Sequence, residues 1–339
     1  MSIENIASQK SFGGWHKRYR HHSSTLNCDM VFAVYLPPQI EAGKKLPVLY
    51  WLSGLSCTDE NFIQKAGAHQ FAAELMAFEV PAIGPLNLNG ATLHQFGGFA
   101  FSVSPRRGGR PPELDDGEVL EWIGRFLARI HTVGARKPFV ARPALNVQTF
   151  AEEPMQWLLG HDMVPLDVQS AWTRGVEQAI AAIRKYDTLN AETKGNGDIR
   201  VLRLHGDCHP GNILWTPADA APDLGPGPHF VDLDDARTGP AVQDFWMLLS
   251  GDRQQRQRQL GALVDGYEQF REFDRAELAL IEPLRTLRLI HYSAWLARRW
   301  TDPTFPANFP WFGSSDYWQG QVQMLEEQLE AMEEPPLIV

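Results

Sequence analysis

Cysteine is scarce in this sequence. The 339 residues include only three, Cys28, Cys57 and Cys208, and none of them belongs to a C-x-x-C pair. An odd number of widely spaced cysteines argues against a disulfide framework and favours a reducing compartment. No apolar run approaches the roughly 20 residues that a membrane-spanning helix needs, and the polar N-terminus lacks an apolar signal segment. We therefore expect a cytoplasmic protein.

Positive charge is also in short supply. Lys and Arg number 31 against 41 Asp and Glu, which gives a net charge of −10. This balance argues against nucleic acid or an anionic membrane as a partner. With 44% hydrophobic and 21% charged residues, the composition is that of a globular protein. Its length allows one large or two ordinary domains.

Two glycine motifs of well-known enzyme classes are missing as well. No G-x-S-x-G occurs in the chain, and the nearest approach, Gly54 to Thr58, has Thr58 where the sharp turn of a nucleophile elbow needs glycine. The glycine pairs Gly97-Gly98 and Gly108-Gly109 do not have the spacing of a phosphate-binding loop.

The chain changes character at a cluster of Arg, Gly and Pro, residues 106–112, which we interpret as a linker between lobes. Before it, the sequence predicts mainly strands and turns; after it, mainly helices. The predicted strands are Met30–Leu36, Leu46–Leu52, Val201–Leu204 and Ile213–Trp215, and Leu86–Val103 is predicted as a hairpin turning at Asn89-Gly90. The predicted helices are Gln64–Phe78, a segment from Val119 to His131, Trp172–Tyr186, Ala241–Ser250, Arg256–Phe270, Leu278–Trp300 and Gln321–Glu334.

The most informative stretch lies between two of these predicted strands. Asp207 is followed five residues later by Asn212, and Asp232 comes at the end of an apolar run twenty residues further on. Phosphoryl transfer needs one carboxylate to orient the acceptor hydroxyl, and an amide and a second carboxylate to hold magnesium. Asn212 and Asp232 offer the hard oxygen ligands that magnesium prefers. We expect Asp232 to be buried, with a cation relieving the cost of its charge.

Simpler interpretations of these residues remain open. Asp207 alone would be read as a turn residue capping its own backbone. The spacing His205-x-Asp207-x-His209 also fits a metal-dependent hydrolase, although His205 is better explained as a residue that organises the loop. Asp244, near the start of a predicted helix, is expected to interact with the N-terminus of that helix.

From about residue 69 to the end, the chain resembles the stress response kinase A family, bacterial Ser/Thr protein kinases with the aminoglycoside phosphotransferase and choline kinase fold. The matching phrases are Leu204–Trp215, Phe230–Asp244, Glu282–Trp300, Asn308–Trp311 and Glu334–Leu337. The resemblance implies an α+β, protein-kinase-like two-lobe fold with a mainly helical C-terminal lobe. It also implies ATP as co-substrate, Mg²⁺ as cofactor and a protein Ser or Thr as acceptor.

The same resemblance assigns roles to individual residues. Asp207 is implied to be the catalytic base, and Asn212 and Asp232 to bind magnesium. The hinge beside the adenine is implied to lie between Phe101 and Pro105, so that Phe101, Val103 and Pro105 are the expected nucleotide-binding residues.

Residues 1–68 are similar to a different family, the S-formylglutathione hydrolases of the esterase D type. The phrases are Ser11–Trp15, Phe32–Pro38 and Pro47–Thr58. That family implies an oxyanion-hole role for Gly54–Ser56, but its nucleophile would lie further along and no G-x-S-x-G follows. The chain thus resembles a chimera, with a hydrolase-derived β segment in place of most of the N-lobe. The expected divisions are a hydrolase-like fragment (1–68), the remainder of the kinase N-lobe with its hinge (69–110) and a catalytic C-lobe (111–339).

The substitution removes two groups that the kinase family implies. The Lys that pairs the phosphates falls near Ser53, and the Glu that holds it falls near Gly67 or Ala68. We therefore expect a phosphotransferase of the Ser/Thr protein kinase type with impaired activity. Two alternatives stay open: a catalytically dead scaffold, and, less favoured, an esterase without its nucleophile.

Overall fold

The computed structural model describes residues 3–11, 14–24, 28–36, 66–92, 94–96, 99–139, 142–190, 199–217, 225–302 and 304–339. The predicted strand Leu46–Leu52 and the Gly54–Ser56 stretch lie outside these ranges. So does Ser53, which stands at the expected lysine position.

The N-terminal part forms a three-stranded antiparallel sheet. Its strands are β1 (Ile3–Ser11), β2 (Gly14–Ser23) and β3 (Cys28–Leu36), in the order β1-β2-β3. Strand β3 contains the predicted strand Met30–Leu36, which is confirmed. Strand β2 was not predicted, because its run of His, Lys and Arg residues lacks the apolar alternation of a half-buried strand.

Helix α1 (Ala66–Ala77) connects the N-terminal part of the chain to the main core. Its Phe71 and Leu75 are fully buried in the same hydrophobic cluster as the C-terminal helices. The predicted helix Gln64–Phe78 is therefore found with slightly shorter bounds. The expected division between residues 68 and 69 falls inside this helix.

The hairpin expected over Leu86–Val103 is only partly right. Asn89 and Gly90 do form a tight turn with positive φ angles of 55° and 84°, and Leu88 and Ala91 exchange backbone hydrogen bonds across it. The strands, however, are β4 (His94–Phe96) and β5 (Phe99–Phe101), which pair with each other further along the chain. The Asn-Gly signal is satisfied by one bridged pair of residues, Leu88 and Ala91.

The C-terminal lobe is helical, with four short strands inserted. Its helices are α2 (Gly117–Gly134), α3 (Glu153–Gly160), α4 (Leu166–Ile183), α5 (Gln243–Trp246), α6 (Arg253–Glu268), α7 (Ile281–Arg298), α8 (Thr304–Asn308) and α9 (Ser315–Ala331). A π-helical turn, Gln148–Glu152, precedes α3, and single 3-10 turns occur at Asp187–Leu189, Pro210–Asn212, Leu233–Asp235 and Arg275–Leu280. The helix predicted over Ala241–Ser250 is wrong in length, since only the four residues of α5 are helical.

Two glycines let α2 and α6 cross at close range. A Cβ atom on Gly124 would lie 2.0 Å from the carbonyl oxygen of Leu263, and one on Gly266 would lie 2.0 Å from that of Glu121. Each helix therefore presents a glycine to the backbone of the other. Helix α4 packs against α9 through an edge-to-face contact between Trp172 and Trp318, both buried.

The inserted strands form two antiparallel pairs that carry the candidate site. Strand β6 (Val201–Arg203) pairs with β9 (Thr238–Pro240), and β7 (Ile213–Thr216) pairs with β8 (Gly227–Phe230). The β6–β7 loop therefore begins beside the end of the β8–β9 loop and ends beside its beginning. Across the described ranges, no helix has both the length and the apolar character needed to cross a membrane.

Candidate active site

Asp207 lies in the loop between β6 and β7, at the point where the chain makes a sharp turn. The preceding residue, Gly206, has a φ of 86°, and a Cβ there would approach the carbonyl oxygen of Asp235 to 2.2 Å. Only glycine fits such a position, because the left-handed backbone and the close neighbour both exclude a side chain. The turn that presents Asp207 thus requires the glycine of the His-Gly-Asp motif.

A buried carboxylate, Asp244 on α5, holds the backbone of this loop. Its two oxygens accept hydrogen bonds from the backbone N–H groups of His205 and Gly206, each at 2.8 Å. One of them also lies 2.9 Å from His131 Nε2, and His131 Nδ1 lies 3.1 Å from the hydroxyl of Tyr267. Burial opposes the charge of Asp244, but the bonds from His131 and Gly206 outweigh it and lower the pKa of the carboxyl.

This role corrects the expectation for Asp244. Its carboxylate binds the backbone of the Asp207 loop, 38 and 39 residues away in sequence, and not the start of its own helix. Helix α5 is one turn long, so it offers little N-terminal charge to interact with. The expected loop-organising role of His205 is confirmed, since its Nε2 bonds to the carbonyl oxygen of Val231 at 2.9 Å.

The side chain of Asp207 contacts a cation on one oxygen and an amide on the other. Its Oδ1 lies 2.7 Å from Nη1 of Arg288 on α7, an ion pair without hydrogen-bond geometry. Its Oδ2 accepts a long bond of 3.4 Å from Nδ2 of Asn212. The same Asn212 nitrogen donates to the carbonyl oxygen of Asp207 at 2.9 Å. Because its nitrogen is used in this way, the amide oxygen of Asn212 is the atom left to bind a cation.

His209 completes the surroundings of Asp207. Its Nδ1 accepts a bond of 3.0 Å from the N–H of Gly211, so the proton of the neutral ring is on Nε2, which lies 3.7 Å from Asp207 Oδ2. Burial lowers the pKa of His209, and Arg288 adds to this effect against the attraction of Asp207. Both histidines of the alternative metal-binding pattern thus interact with backbone groups, which does not support the hydrolase interpretation.

Asp232 lies next to Asn212 through strand pairing. The N–H of Val231 donates to the carbonyl oxygen of Asn212 at 3.0 Å, directly after the paired residues Ile213 and Phe230. Asp232 itself has a left-handed backbone, with a φ of 56° and a ψ of 58°. Such a conformation costs a non-glycine residue of order 1–3 kcal/mol and is concentrated at functional sites.

The expectation that Asp232 is buried is wrong. All four residues of β8 are buried, but the strand ends at Phe230, and Asp232 lies beyond it with an exposed side chain. A magnesium ion is therefore not needed to relieve a buried charge. The donor set still fits that ion, since Mg²⁺ is usually held by one or two carboxylates together with phosphate and water oxygens. Within the described ranges, no group of three or more His, Cys, Asp or Glu side chains forms a metal site by itself.

A cavity of about 280 Å³ opens beside Asp207 on the side of Arg288. Asn212 and Asp232 do not line it. Four of its lining residues, Arg288, His291, Tyr292 and Trp295, belong to α7 and follow the spacing i, i+3, i+4, i+7. One face of this helix therefore forms the wall of the cavity. These four residues were not predicted as functional, although their spacing in the sequence was a usable signal.

The expected nucleotide-binding residues lie apart from this cavity. Phe101 ends β5, Val103 accepts a backbone bond from Leu86 at 2.7 Å, and Pro105 is exposed in the irregular segment that follows. The segment is joined to β7 at Arg110, whose N–H and carbonyl pair with Trp215. Phe101, Val103 and Pro105 are not among the residues that line the cavity beside Asp207, so their role in binding adenine stays a prediction.

Helix α1 supplies a glutamate that interacts with the C-terminal lobe. Glu74 forms ion pairs of 2.5 Å with Lys137 and 2.9 Å with Arg203, a buried residue of β6. Burial raises the pKa of Glu74, but its hydrogen bonds to Lys137 and Arg203 prevail and lower it. Glu74 therefore connects α1 to the lobe that carries Asp207.

Comparison with known proteins identifies the family. The sequence model of the phosphotransferase enzyme family matches residues 59–281. Stress response kinase A of Escherichia coli strain K12 is 45% identical over 269 residues, which span 79% of this chain and 77% of that protein. The serine/threonine protein kinase RdoA of Salmonella typhimurium strain LT2 is 44% identical over the same shares. This chain belongs to the stress response kinase A family of phosphotransferases.

Solved structures agree with this family in fold. The amicoumacin kinase hAmiN in complex with AMP-PNP, Ca²⁺ and Ami aligns with a TM-score of 0.55 at 14% identity, covering 99% of this chain and 89% of that one. Choline kinase from Cryptosporidium parvum Iowa II aligns with a TM-score of 0.52 at 10% identity, covering 98% and 89%. The stress response kinase A member described here therefore has the mixed α+β, protein-kinase-like fold with a helical C-terminal lobe, as predicted.

A second family model matches near the N-terminus. The model of a putative esterase matches residues 23–85 and overlaps the phosphotransferase match between residues 59 and 85. Both predicted resemblances are thus confirmed. The expected division between residues 68 and 69 lies inside this overlap and inside α1.

Proposed function

We propose that this kinase transfers the terminal phosphate of ATP to the hydroxyl of a Ser or Thr residue in a protein. The observation that carries the proposal is the position of Asp207, at the edge of a cavity on its Arg288 side and in contact with Asn212 on the other. A hydroxyl that enters the cavity meets the carboxylate of Asp207, which accepts its proton as the phosphate is transferred. The name of the Salmonella relative, a serine/threonine protein kinase, supports the choice of acceptor.

Each residue around Asp207 has a distinct part in this proposal. Arg288 pairs with one carboxylate oxygen of Asp207, so the other oxygen stays directed at the loop. The carboxylate of Asp244 fixes the loop backbone that carries Asp207. The amide oxygen of Asn212 and the carboxylate of Asp232 would hold Mg²⁺. When bound, that ion neutralises phosphate charge and orients the nucleotide. We assign Phe101, Val103 and Pro105 to the adenine side, on the resemblance alone.

We further propose the divisions 1–68, 69–110 and 111–339, and reduced turnover as their consequence. The sequence has Ser53 where the family implies the phosphate-binding Lys, and Gly67 or Ala68 where it implies the partner Glu. Positioning and charge stabilisation supply most of the catalysis in phosphoryl transfer. A chain without that Lys and Glu therefore keeps the catalytic base but loses part of the group of residues that holds the nucleotide phosphates. The cytoplasm remains the compartment we propose.

Transfer of radiolabelled phosphate from ATP to a general protein substrate tests the function. We expect weak but measurable incorporation that Asp207→Asn lowers by about 10²–10⁴-fold, the usual contribution of a general base. Asp265→Asn, an exposed aspartate on α6, serves as the matched control and should leave the rate unchanged. Incorporation that persists in Asp207→Asn would contradict the assignment. A rate equal to that of the Escherichia coli relative would contradict the impairment.

A catalytically dead scaffold is the second candidate, and the same missing Lys favours it. Titration with Mg-ATP while following thermal unfolding separates the two. A ligand that binds the native state raises the midpoint by mass action, so we expect a rise with Mg-ATP that Asn212→Ala and Asp232→Ala each reduce. No rise at any concentration would favour the scaffold. We propose no esterase activity, since the chain contains no G-x-S-x-G.

A further inference from the structure

The cavity beside Asp207 has aromatic walls. His291 stacks on Phe150, with ring centroids 4.2 Å apart and planes inclined by 22°. Tyr292, the next residue on α7, stacks on Trp295 at 5.6 Å and 12°. Burial, together with the nearby Arg237, lowers the pKa of His291 to about 3, so this ring is neutral near pH 7. The walls therefore offer flat, uncharged surfaces to an acceptor.

The charges that line the cavity are balanced. Asp207 pairs with Arg288, and Asp235 pairs with Arg237 at 3.1 Å. Both carboxylates in the lining are thus compensated by arginine. An acceptor that carries several ammonium groups would find no uncompensated carboxylate among these lining residues, and would meet two guanidinium groups instead. The cavity suits a neutral hydroxyl group accompanied by an apolar side chain.

The aromatic wall continues out of the cavity along the surface. Trp295 meets Phe309 at 6.3 Å and 85°, and Phe309 meets Trp311 at 5.8 Å and 84°. We call Tyr292, Trp295, Phe309 and Trp311 the aromatic strip. Its outer end, Trp311, is 44% exposed. Aromatic residues such as Trp are enriched at protein interfaces relative to the rest of the surface, so Trp311 is suited to contact a partner.

Three residues of the strip, Tyr292, Trp295 and Phe309, are partly buried and pack against the hydrophobic core. Phe305, Phe312 and Trp318 are each at most 5% exposed and form the core between α7, α8 and α9. Among the described residues, the ring of Trp311 contacts the rings of Phe309 and Tyr317. The guanidinium of Arg299 lies 4.6 Å from the Trp295 ring, so the strip is bordered by positive charge, although the whole chain has a net charge of −10.

We propose that the aromatic strip binds an aromatic or large aliphatic side chain of the acceptor protein, a few residues from the Ser or Thr that reaches Asp207. This inference rests on the protein kinase function proposed above. It commits to a peptide segment because the strip is continuous with the cavity. An extended chain, which advances about 3.3 Å per residue, crosses the three ring-to-ring steps of the strip within about five residues.

Binding of fluorescein-labelled peptides to the full chain, followed by anisotropy, tests the inference without requiring turnover. The peptides consist of Ala and Gly with Ala in place of the acceptor Ser, and one Phe is placed in turn at each neighbouring position on either side. We expect one or two positions at which Phe lowers the Kd about tenfold relative to Ala, the equivalent of one well-packed aromatic contact. Lys at the same positions should bind no better than Ala. Because only the peptide changes, this result does not depend on the folding of a variant.

Protein variants then locate the contact. Trp311→Ala should abolish the preference for Phe and leave the Kd of the all-Ala peptide unchanged. Phe270→Ala removes another exposed aromatic side chain, at the end of α6 and outside the strip, and should keep the preference. Equal affinity for Phe, Ala and Lys peptides overturns the inference, as does a Phe preference that survives in Trp311→Ala.

The same peptides with Ser restored distinguish this inference from the proposed function. Binding with a Phe preference but without phosphate transfer upholds the aromatic site and sinks the kinase activity. Transfer without a Phe preference does the reverse.

Discussion

At the scale of single residues, the sequence points to the role of one aspartate, Asp207, but not to that of a second, Asp244. Asp207 stands in a His-Gly-Asp motif with Asn212 five residues later, so the sequence predicts a role for it. Asp244 is the residue that holds the Asp207 loop, yet nothing local marks it, because its partners are backbone N–H groups 38 and 39 residues away. A carboxylate bound to distant backbone looks in sequence like any helix-starting aspartate.

We predict that Asp244→Ala lowers the free energy of unfolding by about 3–5 kcal/mol, the usual cost of removing one partner from a buried charged network. The two N–H groups of the loop and His131 would all lose their acceptor. Urea unfolding measures the change. Asp265→Ala, on an exposed position of α6, should stay within about 0.5 kcal/mol of the parent. A loss below about 1 kcal/mol in Asp244→Ala would show that the anchor contributes little.

The pH dependence of that loss follows from the pKa of Asp244, which is lowered in the folded state. A carboxyl with a lowered pKa stabilises the fold above its unfolded pKa of about 3.9, and this stabilisation is lost as the pH falls towards the folded value. We therefore expect the difference between parent and Asp244→Ala to be complete at pH 6 and to shrink below about pH 4. A difference that grows on acidification would contradict the charged state of Asp244.

At the scale of elements, periodicity in the sequence predicts which segments are helices but not how closely they cross. Helices α2 and α6 were both expected from apolar spacing. Their contact depends on Gly124 and Gly266, where an added Cβ would lie only 2.0 Å from a carbonyl oxygen of the other helix. A glycine in a helical pattern is usually read only as a weakness. The Asn89-Gly90 pair correctly predicts its own turn. It does not predict the strands of a hairpin, because the observed strands β4 and β5 lie further along the chain.

We predict that Gly124→Ala destabilises the fold by at least about 1–3 kcal/mol, because the added methyl group forces α2 and α6 apart. Gly261 supplies the matched control on α6, since a Cβ there meets nothing within 4 Å. Gly261→Ala should stabilise by about 0.5–1 kcal/mol through helix propensity alone. Thermal unfolding of both variants checks the pair. A stable Gly124→Ala would mean that the two helices are not in contact at this point.

At the scale of the whole molecule, the N-terminal sheet and the helical lobe differ in how they are supported. Strands β1, β2 and β3 pair with one another, and the described part of the chain contains no further strand paired to their sheet. The helical lobe shares one hydrophobic cluster that extends from Phe71 on α1 to the C-terminal Leu337. A small sheet has little stability of its own unless a helix covers it.

We predict that the backbone amides of β1–β3 exchange hydrogen faster than those of α2 and α6, since a small sheet has little stability of its own and the least stable units of a fold open first. Hydrogen exchange followed by mass spectrometry resolves the two regions in one experiment, and the helices act as the internal reference. Protection of β1–β3 equal to that of α2 would show that the sheet folds as one unit with the lobe.

The amino-acid sequence by itself determined the family and the change from strands to helices, and it predicts site roles for Asp207, Asn212 and Asp232, because these depend on local spacing and on short motifs. It also indicated that the chain resembles two families. Only the tertiary structure decided that Asp244 anchors the loop, that Asp232 is exposed, and that Arg288 and the aromatic face of α7 form the cavity wall. These features arise where residues far apart in the chain approach each other, and their distances are set by packing and backbone hydrogen bonds that no local pattern encodes.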